Sequence, residues 1–84
     1  MEDVKMQQAG TKAANEPWYP TYRLTEIVGT ATGSVDDAIA NGIDKAAESL
    51  HGLSWFQVVE IRGSIHDGKV SDTQVAMKVG FRVD

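Results

Sequence analysis

Three side chains carry groups suited to holding a flat ligand with a polar edge: Trp55, Gln74 and Arg62. An indole is a broad π surface that stacks on another planar aromatic, adding about 0.5–1.5 kcal/mol beyond the area it buries. Gln74 sets a carbonyl acceptor beside an amide donor, which matches a heterocycle edge of alternating acceptors and donor. A single glutamine on a strand is usually just solvated, so its role depends on its neighbours. Arg62 offers a planar fork of donors to a phosphate or carboxylate. An ion pair with Glu60, with Glu26 or with an acid of a neighbouring subunit is an equally good use for it.

The remaining chemistry-bearing residues argue against catalysis. The chain has no cysteine, no Ser/His/Asp arrangement and no carboxylate pair spaced around a pocket. His51 and His66 lack metal-ligand spacing and read as loop residues, so no metal site is expected. Gly29 and Gly33 do not form a dinucleotide fingerprint, because neither their spacing nor the elements around them fit one. With a formal net charge of −4 and only 8 scattered Lys and Arg, nucleic acid is not an expected partner. No apolar run approaches the roughly 20 residues that span a bilayer. The acidic, Gln/Ala-rich start does not resemble a secretory leader, and the expected compartment is the cytoplasm.

Four elements must position the three side chains. Residues 21–30 favour a strand through Tyr22, Ile27, Val28 and two threonines, ending at Gly29. Val35, Ala38, Ile39, Gly42, Ile43, Ala46, Ala47 and Leu50 then recur as one face of an amphipathic helix. Ser34 is its expected N-cap, Asp36 and Asp37 complement the helix dipole, and Gly52 is the expected left-handed residue at its end. Two long extended runs follow, over residues 54–63 and 74–83, with Asp67-Gly68 between them as a tight hairpin turn. The order is β-α-β-β, an α+β fold with the helix across one face of the sheet. Residues 1–20 carry no sustained period and end in Pro17-Trp18-Tyr19-Pro20. They are expected to form a mobile N-terminal extension to a domain spanning residues 21–84.

At 84 residues the chain is one small domain, and such domains commonly need disulfides, metals or subunit contacts to complete their stability. Without cysteine, subunit contacts remain. The strand patterns agree. Val75, Met77, Val79, Phe81 and Val83 alternate with polar or small residues and belong under the helix. In the second extended run strict alternation puts Phe56 and Val58 with Glu60 and Arg62, and Trp55 with Val59, Ile61 and Ile65. One helix covers one side only, so the face bearing Trp55 is either an interface or a curled core edge. An unbulged hairpin sets Trp55 opposite Gly80 and Ile61 opposite Gln74, placing Trp55 and Gln74 six residues apart, roughly 20 Å at about 3.4 Å per residue. One ring held by both would need them from different subunits.

From Tyr22 onward the chain resembles the dodecins, small flavin-binding proteins. The motifs that carry this are Glu26-Ile27-Val28-Gly29-Thr30, Asp37-Ala38-Ile39, Trp55-Phe56, Arg62-Gly63, Asp67-Gly68, Gln74-Val75 and Val79-Gly80-Phe81. The resemblance implies a three-stranded antiparallel sheet with one helix, assembled as a hollow homododecamer that binds flavins in stacked pairs between tryptophans. It implies that Trp55 stacks on the isoalloxazine, Gln74 meets the ring edge and Arg62 lies near the flavin phosphate. The ligand is then FMN or riboflavin, with coenzyme A as a possible second ligand, and the role is flavin storage, buffering and photoprotection without turnover. The alternative is a structural or partner-binding oligomeric shell without flavin. Ala31, Ser64 and Thr73 depart from the family pattern, Ser64 standing where His or Glu is common and Thr73 where an aromatic precedes the glutamine.

Overall fold

A computed structural model describes residues 19–83. The expected N-terminal extension therefore lies outside the described residues, apart from Tyr19 and Pro20. The elements are β1 (Thr21–Ala31), α1 (Val35–Ala46), β2 (Leu53–His66) and β3 (Lys69–Val83), in the expected β-α-β-β order. All strand pairs are antiparallel and the sheet order is β1-β3-β2, so β3 is central and both other strands are edges. His66, expected in a loop, is the last residue of β2 and pairs with Lys69.

Ser34 caps α1 from extended backbone, its hydroxyl accepting the Asp37 N–H at 3.1 Å. Such a cap typically contributes about 1 kcal/mol. The helix ends four residues before Leu50, where the apolar recurrence stops. Its ladder tightens there into three-residue steps, Glu48 N–H to Lys45 and Ser49 N–H to Ala46, both at 3.2 Å. Leu50 still packs on the core. Gly52 does have positive φ, 74°, but it is not the helix cap, which is Ala47. Gly52 instead turns the connection into β2, and its carbonyl accepts the Arg82 N–H at 3.0 Å.

The core is small: Ala38, Val75, Met77 and Val79, ringed by Ile27, Val35, Ile39, Ile43 and Leu53 among others. It forms where α1 lies over β1 and β3. The close approach depends on two glycines. A methyl on Gly29 would collide with the Ala38 carbonyl, and one on Gly42 would come within 2.9 Å of both Gly29 Cα and Met77 Cε. At the other end of the sheet, Asp67 and Gly68 take φ of 53° and 77°, the double positive φ that their hairpin turn requires.

The hairpin is not free of bulges, and this changes the faces of β2. The register shifts between Ser64 and Ile65, leaving Ser71 of β3 without a pairing partner, again between Val58 and Glu60, leaving Val59 of β2 without one, and a third time between Leu53 and Trp55, leaving Ser54 without one. Since directly paired residues share a face, the second shift inverts the alternation along β2. Trp55 and Gln57 thus share a face with Glu60, Arg62 and Ser64, away from the helix. Phe56 and Val58 join Ile61 and Ile65 on the helix side. The expected grouping of Trp55 with Ile61 and Ile65 is corrected accordingly. Because α1 packs chiefly over β1 and β3, that apolar row is largely open, Ile65 being 76% exposed.

Candidate functional site

On the face away from α1, strand pairing lines up residues in rows across the sheet: Leu24–Gly80–Trp55, Glu26–Lys78–Gln57, Val28–Ala76–Glu60 and Thr30–Gln74–Arg62. The three candidate ligand residues therefore share one face, with Trp55 in the first row and Gln74 beside Arg62 in the last.

Trp55 lies opposite Gly80 as the hairpin register predicts, and the indole rests directly on that glycine. Any side chain at Gly80 would meet the indole ring carbons, so glycine is needed for the ring to lie flat there. The Tyr22 ring meets the indole edge-on, with centroids 6.0 Å apart and planes at 69°. Trp55 is nevertheless 42% exposed. An indole backed by glycine and braced at its edge, yet open to solvent, has the geometry that stacking on a planar aromatic requires. The cavity touching Trp55, lined also by Ile43, Leu53, Phe56 and Val79, holds about 160 Å³. Clefts for small ligands run to about 300–1,000 Å³, so this cavity is too small to hold a flavin.

Gln74 pairs with Arg62 rather than with Ile61, correcting the unbulged register. The cause is the Ser71 bulge, which moves the pairing by one residue and turns Arg62 onto the glutamine's face. Arg62 is exposed, and its Nη1 lies 3.9 Å from Glu60 Oε2, a distance and setting at which an ion pair contributes little. Its donor fork remains available to a ligand. The Gln74 amide nitrogen donates to Asp72 Oδ2 at 3.3 Å, and Asp72 Oδ1 accepts the Ser64 N–H at 2.9 Å. Hydrogen bonds from the Ser64 side chain and then from Gln74 hold the Asp72 carboxyl below its usual range, outweighing the opposing effect of burial.

The bulges at Ser71 and Val59 lie between the turn and Trp55 and shift the register in opposite directions, so Trp55 stays opposite Gly80, six residues along β3 from Gln74. That separation is about 20 Å at about 3.4 Å per residue, as the sequence implies. Tyr22 and Asp72 are the site neighbours that sequence reasoning missed. Asp72 was legible in principle, since it is two residues before Gln74 and residues i and i+2 of a strand share a face. Tyr22 was not, because its contact depends on which strand lies beside β3. Among the described residues no three His, Cys, Asp or Glu gather as a metal site, and no helix is long and apolar enough to cross a membrane.

The family model for dodecins matches residues 21–84. The chain belongs to the dodecin family. A dodecin of Thermus thermophilus is 40% identical over 63 residues, covering 75% of this chain and 91% of that one. Among solved structures, dodecin from Streptomyces davaonensis is 56% identical with a TM-score of 0.75, covering 79% of this chain and 97% of its own. Dodecin from Streptomyces coelicolor is 45% identical at the same TM-score, covering 79% and 94%. Dodecins are non-enzymatic flavin binders, so the reading of this chain as a binding protein rather than an enzyme stands on family membership.

Proposed function

We propose that this dodecin stores and buffers FMN or riboflavin in the cytoplasm, its domain of residues 21–84 assembling as a hollow homododecamer. Flavins stack in pairs against Trp55 at subunit contacts, Gln74 meets the pyrimidine edge of the ring and Arg62 neutralises the phosphate of FMN. Coenzyme A is a second ligand of the same assembly. The observation that carries this reading is the Trp55 indole, laid on Gly80 and still open to solvent. The separation of Trp55 from Gln74 supports a ring shared between protomers, one supplying the indole and another the amide. The open row of Phe56, Val58, Ile61 and Ile65 supports an assembly that covers it.

Photoprotection follows from the stacking. An indole in van der Waals contact with an excited isoalloxazine donates an electron faster than the flavin emits or reacts, and back transfer restores both. Nothing is consumed.

The test is a fluorescence titration of FMN, and separately of riboflavin, with ligand-stripped protein. Saturable quenching is expected, lost in Trp55→Ala while the oligomer's native mass is kept. An intact oligomer that quenches neither flavin would favour the flavin-free shell.

A further inference from the structure

We infer that Asp72 is a positioning residue for the flavin site, its carboxylate fixing which way round the Gln74 amide faces. The inference rests on the flavin reading above. Asp72 and Gln74 are two apart on β3 and share the face that carries Arg62 and Trp55. At the bulge that leaves Ser71 without a partner, the regular ladder is interrupted, and Asp72 Oδ1 takes up the Ser64 N–H at 2.9 Å. This anchors the carboxylate to β2. Ser71 Oγ donates to the Ser64 carbonyl at 3.3 Å, tying the bulge from its other side. Asp72 Oδ2 then faces Gln74 Nε2 at 3.3 Å.

An ionised carboxylate only accepts hydrogen bonds. The amine end of the Gln74 amide must therefore turn towards Asp72, because the flipped amide would set Oε1 against Oδ2, acceptor against acceptor. One Nε2 hydrogen is used on Asp72. The other, together with Oε1, remains for the ligand as a donor and an acceptor in a fixed order. The complement of that pair is an imide edge, an N–H beside a carbonyl, which a flavin pyrimidine ring presents. A side chain held in its bound orientation before the ligand arrives loses less freedom on binding. Ser64, one of the departures from the family pattern, is the residue whose backbone amide holds Asp72 in place.

The experiment is a quenching titration of riboflavin, which lacks the phosphate that Arg62 would contact, with wild type, Asp72→Ala, Gln74→Ala and the double variant. Native mass is checked for each. Asp72→Ala is expected to weaken riboflavin roughly three- to tenfold, the range for losing one neutral hydrogen bond's orientation. Gln74→Ala weakens it at least as much, and the double variant is no weaker than Gln74→Ala, because Asp72 acts only through the glutamine. Asp72→Asn, which keeps an acceptor in place and serves if the alanine variant fails to assemble, recovers part of the loss. Wild-type affinity in Asp72→Ala, or single losses that multiply in the double variant, would overturn the positioning role and leave the flavin reading standing. A wild-type protein that does not quench riboflavin would overturn both.

Discussion

Val75, Met77 and Val79 of β3 are sealed beneath α1, while Phe56, Val58 and Ile61, on the same side of the same sheet one strand over, lie open. The residue types are alike and only the covering differs. In the first region apolar area has already been removed from water, so a substitution there is read as lost stability. In the second the apolar area is still in water, and under the proposed assembly a substitution there is read in subunit association or ligand binding. The ligand candidates Trp55 and Arg62 both stand on this uncovered strand, and the bulge at Val59 puts Trp55 and Arg62 on one face and the apolar row on the other.

Met77→Ala should separate the regions most sharply. It removes a fully buried side chain from the centre of the core and should cost about 2–5 kcal/mol in denaturant unfolding, the usual range for such truncations. Ile61→Ser with Ile65→Ser tests the opposite side of the comparison. Each gives up about 1.5–3 kcal/mol of burial if a neighbouring subunit covers it, so native mass spectrometry should show smaller assemblies. Unchanged mass would mean that these side chains stay in water in the assembly.

Trp55→Ala should weaken riboflavin at least tenfold, about 1.4 kcal/mol, through the lost stacking and the contact area that goes with it. Ser34→Ala removes the α1 cap and should cost about 1 kcal/mol in thermal unfolding without altering flavin affinity, since the helix lies on the covered side. The smallest effect concerns acid. The Asp72 carboxyl is held below its usual range in the folded protein, so its stabilising share is complete above the unfolded carboxylate value and is lost as pH falls through the lower folded value. Asp72→Asn should flatten that part of the stability profile, as followed by thermal midpoints between neutral and strongly acidic pH.

Much of this architecture is written locally. The Ser34 cap, the Asp67-Gly68 turn and the alternation of β3 each depend on a few adjacent residues whose conformational preferences agree, whereas Trp55 meets Gly80 as expected because the opposite shifts at Ser71 and Val59 cancel. The helix end at Ala46 was not legible, because apolar recurrence continues to Leu50 even though the backbone has already tightened. The faces of β2 were misassigned for a different reason. A bulge inverts every residue beyond it, and neither Ser71 nor Val59 is a residue type that announces one. The partnership of Arg62 with Gln74 followed from that inversion and needed the structure.

A crystal structure of the protein grown with FMN would test the central claim most directly. The account predicts an isoalloxazine stacked on Trp55 of one protomer, with its pyrimidine edge against Gln74 of another. A ring contacted by Trp55 and Gln74 of the same protomer, or bound away from Trp55, would contradict it.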